Sequence, residues 1–587
     1  MESVFTTCPY CGCGCGLYLQ VRDGQLVGVI PSRHHPISSS KLCLRGWHSH
    51  ESTTRPDRLR TPLIRRDGTL QAATWDEALD AAAAGLKAAR DQSPDAVGVL
   101  GSALATNEES YLLARLAGQA IGTRHFDCLR RQGVAAAMLD ATSPAEITAL
   151  DHAYVVFVCG GGLAEEAPLA AWRVLEAARR GAAVIVLSSR RDQMADVATL
   201  HLQPRPGTET ACLQALVRLA EDAGRFDPAQ IASLVQVDAD ALRQAAETCA
   251  RADRAVIVCG QGSGPEADAP ALATALRDLA AATGSGLLPM TSYGNLRGAL
   301  DMGVRSTDGA AAMLGQVKAL YVMGDDPLAV ASSPATARQV LERLDFLVVQ
   351  DVFLSETAKL AHVVLPGAIF AEKDGTMTSA EGRVQRLRPA VAPVGEARPD
   401  WWILSQLAAR LGLPTAYDSP AAIRAEIAQT VPGYAEIAGD AWEDGWGLLL
   451  GPLSAPVATP SAGDEASPAT ANEEFPVLLW VDPHLYPWDG DAMAAHSPTL
   501  AREYLIRARD YRRGYVQMRP DEMRAQSVRP GAPVKIISAH GETTLPVMPE
   551  NGIPAGTICL PYHLRELAAA VLGDGGFSPC PVRIERG

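Results

Sequence analysis

No apolar run in this chain approaches the roughly 18 uninterrupted residues of a membrane-spanning helix. Its beginning, MESVFTTCPYC, has no basic segment, no apolar segment and no twin arginine to direct export. A cytoplasmic protein is therefore expected. No Walker loop occurs, and GQGSGP (260–265) departs from G-x-G-x-x-G because Pro265 replaces the last glycine, so the chain is not expected to bind a nicotinamide nucleotide. No fixed-period repeat is present. The net charge of −15 and pI of about 5.3 provide no chain-wide basic field for a phosphate backbone, which excludes nucleic acid as the expected partner. An even spread of cysteines is also missing. Of twelve, Cys8, Cys11, Cys13, Cys15 and Cys43 crowd the first 43 residues, which is not the pattern of a disulfide-stapled secreted fold.

With 587 residues, the chain is long enough for several domains. Residues 1–60 are turn-rich, and LYLQVRDGQLVGVIP holds two strand-like runs about Asp23-Gly24, a two-residue hairpin signal. From Trp75 onward, apolar runs such as YVVFV and AVIVL alternate with Ala-rich amphipathic stretches. Strands buried on both faces and joined by helices imply parallel βαβ units. A second such series starts at AVIVCGQGSG (255–264), and two interleaved α/β lobes over 61–450 are expected. Residues 451–475 are rich in Pro, Ala and Ser and read as a linker. Alternating runs with Pro/Gly turns over 476–587 predict a C-terminal β-barrel, six-stranded or similar. The fold class is α/β with a small β domain in front and a barrel behind.

Cys8-x2-Cys11-x3-Cys15-x27-Cys43 places three thiolates on one tight loop and returns a fourth from downstream, the arrangement a [4Fe-4S] cluster requires. Gly12, Gly14 and Gly16 let the loop bend. The same four thiolates also suit zinc, and spacing alone does not separate the two. Cys13 is extra and reads as packing behind the ligands. Gly160, Gly161 and Gly162 follow one strand, and Gly260, Gly262 and Gly264 another; both turns are candidate phosphate cradles.

The run CPYCGCGCGL followed by KLCLRG resembles the N-terminus of the molybdopterin oxidoreductase family, close to formate dehydrogenase α subunits and the large iron–sulfur subunit of respiratory complex I. The resemblance continues through TNEESYLLARLAGQAIGT (106–123), RPGTETACL (205–213), GALDMGV (298–304), residues 345–391, PDWWILSQLAARLG (399–412) and LPYHLRE (560–566). It implies a cluster domain, two dinucleotide-type lobes and a dinucleotide-binding barrel around a molybdopterin guanine dinucleotide. It also implies that Arg45, two positions after the last cluster cysteine, relays electrons between cluster and pterin where the formate enzymes have Lys. Gly324, Asp326 and Pro327 match a guanine-dinucleotide segment, and Arg190 ends an acidic-Pro-Arg segment that here reads Ser188-Ser189-Arg190.

Four departures matter. The metal-binding Cys or selenocysteine and its following His fall, without gaps, on Gly133 and Val134. Cys128 takes that role only if residues are deleted ahead of it, and otherwise reads as a small buried apolar residue. The formate-binding Arg falls on Thr291, with Arg297 nearby in sequence. Asp for Asn in the GENP-like segment and Ser188 for an acid weaken pterin binding. The expected function is thus an iron–sulfur electron-transfer subunit of a cytoplasmic redox complex, with iron–sulfur or flavin (NAD-linked) partner subunits and formate chemistry lost. The alternatives are a catalytic molybdopterin enzyme with atypical metal ligation, and a structural scaffold with zinc or a vestigial site. His34, His35, His48 and His50, near the cluster loop in sequence, read as solvated loop residues.

Overall fold

Short apolar strands joined by amphipathic helices build two sheets with a parallel core, one in each of two compact units. The computed structural model describes the chain apart from residues 132, 140–143, 223, 263–268, 307–308, 332, 415–416, 440–441, 444–445, 452–468, 483–490, 503–513, 562–563 and 574–577. The first unit takes residues 1–131, 293–456 and 488–502, and the second residues 132–292, 457–487 and 503–587. Most of the expected linker, 452–468, lies outside the described residues.

The first unit opens with an antiparallel sheet of Glu2–Thr7, Gly16–Arg22 and Gln25–Pro31. Asp23 and Gly24 both have positive φ (54° and 72°), the conformation that a two-residue hairpin turn matching strand twist demands. The cysteine-rich loop joins its first two strands. A seven-stranded sheet follows, in the order Thr69–Ala72, Leu63–Arg66, Val363–Pro366, Phe346–Asp351, Ala319–Met323, Val97–Gly101, Phe126–Cys128. Ala319–Met323 is buried throughout and pairs in parallel with Val97–Gly101 and Phe346–Asp351, which explains its unbroken apolar sequence. The chain leaves Val97–Gly101 toward Phe126–Cys128, then returns on the opposite side with Ala319–Met323. Strand order therefore reverses between those neighbours, and the loops at their carboxyl ends diverge to leave a crevice. Helix Trp75–Arg90 covers the sheet; Thr74 caps it, with Glu77 closing the reciprocal bond. Arg58 and Glu372, both side chains fully buried, form a bidentate pair (3.1 and 2.8 Å) that ties the start of this sheet to the turn after Val363–Pro366.

The second unit holds an all-parallel sheet of five strands in an order of its own: Leu200–Leu202, Ala183–Leu187, Val155–Cys159, Ala255–Cys259, Gly286–Pro289. Here the order reverses between Val155–Cys159 and Ala255–Cys259, whose last residues are register partners. The C-terminal strands Val477–Asp482, Val516–Met518, Pro533–Ile537, Glu542–Pro549, Thr557–Pro561 and Cys580–Arg586 close into a barrel. This is the six-stranded barrel expected from the alternating pattern. Its interior is filled by Leu479, Val481, Val516, Ile536, Val547, Ile558 and their neighbours.

Candidate functional site

Residues 8–15 form a loop pinned at its base, where the Cys8 N–H donates to the Cys15 carbonyl at 2.8 Å; within it the Gly14 N–H donates to Cys11 at 3.3 Å. Gly14 sits at φ 62°, and a Cβ there would stand 2.3 Å from Gln385 Oε1 and 2.9 Å from Ser379 Cβ, so any side chain would be strained and would have to displace them. Cys43 caps helix Leu44–Trp47 and accepts from the Trp47 N–H at 3.0 Å. Cys8, Cys11 and Cys15 are buried, whereas Cys43 is half-buried. No disulfide joins any of the twelve cysteines.

The thiols next to one another do not ionise alike. A hydrogen bond with the Cys13 thiol is the main cause that lowers Cys11 to about 6, while burial raises Cys8 and Cys43. Arg45 is 2% exposed, with its guanidinium 5.8 Å over the Tyr10 ring. Burial alone would lower its pKa; the facing Cys11, Cys43 and Asp491 charges more than reverse that. Arg45 is thus a buried cation beside the thiols. Among the described residues no three His, Cys, Asp or Glu side chains are grouped to hold a single metal ion.

Of the four histidines taken for solvated loop residues, His35 is completely buried. Its Nδ1 faces the N–H groups of Gly16 and Ile37 at 3.3 Å, and its Nε2 lies 2.8 Å from the Gln385 amide. Burial lowers it to about 3, so it is a neutral strut under the Cys15 end of the loop. Nothing in its polar sequence surroundings announced this, because the residue that covers it is 350 positions away.

The crevice at the strand reversal of the first unit is a cavity of about 90 Å³. Ser102–Ala105, Gly324–Asp326, Gln350–Phe353 and Ala368–Phe370, each following a parallel strand, form its walls. Pro9 and Asp491 also line it, so it reaches the cysteine loop. Gly324 stands at φ 60° and Asp326 caps the turn at Pro327 by accepting from the Leu328 N–H at 3.1 Å; these three residues shape the rim. Arg130 lies 5.0 Å over the Tyr293 ring, bonds its hydroxyl at 2.9 Å and pairs with Asp325 at 3.0 Å. Burial raises Asp325, and it raises Asp351 to about 8. Lys373 spans Glu109 (2.8 Å) and Asp400 (2.7 Å). This wall accepts N–H donors and holds two fixed cations, a set that fits the amide-amine edge of a pterin or guanine ring. Arg130, Tyr293 and Lys373 escaped sequence reading; Asp351 had a signal, since a carboxylate ends the apolar strand FLVVQD.

Cys128 ends a strand, 2% exposed, its thiol raised by burial. Thr291 is buried, and Arg297 holds both oxygens of Asp301 at 2.9 Å, so its charge is already balanced. In the second unit Gly160, Gly161 and Gly262 are buried. Arg190 pairs with Asp482 (3.2 Å) and Glu550 (2.9 Å) and donates to Gln517 at 2.9 Å.

The chain matches three family models: the molybdopterin oxidoreductase Fe4S4 domain over residues 1–55, molybdopterin oxidoreductase over 58–410, and the molydopterin dinucleotide binding domain over 492–580. It is 30% identical to F420-dependent formate dehydrogenase 1 subunit alpha of Methanococcus maripaludis, over 99% of this chain and 97% of that protein. With NADPH-Fe(3+) oxidoreductase subunit alpha of Geobacter sulfurreducens it shares 33% identity over 98% of this chain and 74% of that one. Acetylene hydratase from Pelobacter acetylenicus has the same fold, with a TM-score of 0.75 at 16% identity, covering 99% of this chain and all of that one. An Fe4S4 domain, a model match over most of the α/β body and a relative aligned end to end show that this chain belongs to the molybdopterin oxidoreductase family.

Proposed function

We propose that this chain is the cluster-bearing electron-transfer subunit of a redox complex and that it does not oxidise formate. The observation that carries the reading is Gly133. It stands at φ 78°, and a Cβ at this position would lie 2.6 Å from the backbone carbonyl of Gln261. At the point where the resemblance puts a metal-binding side chain, the backbone leaves no room for one. Thr291 in place of the expected arginine agrees with this, and Arg297 is held by Asp301.

Cys8, Cys11, Cys15 and Cys43 are the proposed ligands of a [4Fe-4S] cluster. Three thiols on one loop and a fourth at a helix cap match the four-thiolate ligation of such a cluster. A bound cluster supplies one-electron storage. Arg45 holds positive charge against the thiolates, and the Tyr10 ring under it carries a buried hydroxyl without a hydrogen-bond partner among the described residues. Pro9, the neighbour of Cys8, and Asp491 carry the wall of the cavity up to this loop, and Asp325, Asp351 and Arg130 on the same wall would hold a pterin there.

The partner is proposed to be an iron–sulfur or flavin subunit, NAD-linked where nicotinamide is the terminal couple. Val27, Ile30, Leu44 and Trp47 are each 40–49% exposed, and the helix of the last two packs on the strand of the first two. Cys43, the half-buried ligand, precedes Leu44, and exposed Arg33 and Lys41 flank the patch in sequence. An apolar face with basic residues, on a chain of net charge −15, suits an acidic redox protein. Both relatives named above are alpha subunits, which supports a multi-subunit assembly. Among the described residues no helix is long and apolar enough to cross a membrane, and twelve cysteines with no disulfide among them suit the reducing cytoplasm.

Anaerobically purified protein, assayed for iron, sulfide and molybdenum and for viologen-linked formate oxidation, tests the reading. Iron and sulfide near four each per chain, the content of a [4Fe-4S] cluster, without formate turnover is expected. Formate turnover by a cofactor-loaded preparation would refute it.

A further inference from the structure

Each sheet has one point at which its strand order reverses and a ligand is expected; the first unit's opens onto the cavity described above. In the second unit the turns after Val155–Cys159 and Ala255–Cys259 meet each other. A Cβ on Gly160 would lie 2.9 Å from Gly262 Cα, and one on Gly262 would lie 2.8 Å from Val134 Cγ2. The segment that starts helix Gly133–Leu139 fills the remaining side: the Val134 N–H donates to the Gln261 carbonyl at 2.9 Å and the Ala135 N–H to Gly260 at 3.1 Å.

Three amides of these turns are already engaged, two of them by carboxylates. The Gln261 N–H donates to Glu166 Oε2 at 3.0 Å, the Gly162 N–H to Asp192 Oδ2 at 2.9 Å, and the Gly160 N–H to the Leu187 carbonyl at 2.8 Å. Glu166 is 1% exposed, and its Oε2 would be 2.2 Å from a Cβ on Gly260. Charge-assisted bonds of this kind are strong, and a phosphate brought to these amides would displace one carboxylate while facing another. Arg190, the cation at the end of the neighbouring strand, is balanced by Asp482 and Glu550.

We infer that the glycine turns of the second unit carry their own anion, the buried Glu166 carboxylate, in place of a ligand phosphate, and that the chain therefore holds at most one pterin dinucleotide. The candidate phosphate role of Gly160, Gly161, Gly260 and Gly262 is replaced by a packing role. This inference does not depend on the loss of formate chemistry. A one-pterin protein that oxidises formate would end the functional reading alone, and a formate-inactive protein with two dinucleotides would end this inference alone.

Native mass spectrometry of the anaerobically purified full chain, from a host that makes the pterin dinucleotide, reads the stoichiometry. Every pterin-bearing species is expected to carry one dinucleotide; a species with two overturns the inference. Hydrogen exchange of the pterin-free chain with inorganic pyrophosphate gives a readout independent of cofactor loading. Amides over 133–135 and 260–262 are expected to exchange unchanged in the wild type and to slow in Glu166→Ala. Slowing in the wild type overturns the inference, and no gain in Glu166→Ala overturns the part assigned to Glu166.

Discussion

At the scale of single residues, burial sets the chemistry. Cys43 reaches the surface while the three loop cysteines do not, yet all four are proposed to share one cluster, so Cys43→Ala is expected to lose it. Anaerobic reconstitution followed by iron and sulfide analysis checks this; unchanged iron content would remove Cys43 from the ligand set. Asp351 carries a second prediction. An unfolded Asp titrates near 4, whereas in the folded protein burial raises Asp351 to about 8. The folded chain then binds this proton more tightly than the unfolded chain. Stability linked to Asp351 is full below about pH 4 and is lost as pH climbs toward 8, by an amount on the order of a few kcal/mol. Asp351→Asn keeps the oxygen that accepts from the Val352 N–H at 2.6 Å and removes the titration. Melting temperature of the pterin-free protein followed from pH 5 to 9 should fall less steeply in the variant; parallel profiles would show that Asp351 is not the group responsible.

Between elements, fixed contacts carry the load. The Arg58–Glu372 pair is buried at both ends, so Arg58→Met leaves an unpaired carboxylate in the interior. Loss of one partner of a buried pair costs about 3–5 kcal/mol, and chemical denaturation should register a drop of that size. A loss under about 1 kcal/mol, the range of exposed pairs, would mean water reaches the site. Gly133→Ala is the corresponding test in the second unit. Left-handed backbone costs a residue with a side chain about 1–2 kcal/mol, and the collision with the Gln261 carbonyl adds to that. Gly133→Cys should be destabilised at least as much and should not acquire formate oxidation. A stable, formate-active Gly133→Cys would show that the segment has room to move and would reopen the catalytic reading.

For the molecule as a whole, the proposed electron-transfer role makes the exposed apolar face beside Cys43 testable. If the Val27, Ile30, Leu44 and Trp47 face meets an acidic redox partner, Trp47→Glu should slow electron transfer from the reduced cluster to an acidic ferredoxin several-fold. Iron content and cluster absorption should remain unchanged. Wild-type rates should fall as salt rises, since steering by opposite charge is screened. Rates insensitive to both substitution and salt would move the exit elsewhere.

Local chemistry was legible in the amino-acid sequence. The four-cysteine spacing, the Asp23-Gly24 hairpin, the alternation of buried strands with helices and the closing barrel all depend on neighbours a few positions apart, and the structure bears out that fold. The glycine at 133, where an ungapped count puts the family's metal ligand, was also visible as a letter. Tertiary structure alone decided what the glycine turns do. The same strand-turn pattern opens onto a cavity after Ala319–Met323 and closes upon itself after Ala255–Cys259, because Glu166, Val134 and Gly160 arrive there from other parts of the chain. His35 belongs to the same class, since Gln385 and Trp446 bury it from more than 300 positions away. Periodicity and spacing report which groups a segment can present; which of them meets a ligand, and which meets another part of the protein, depends on long-range packing that no local pattern contains.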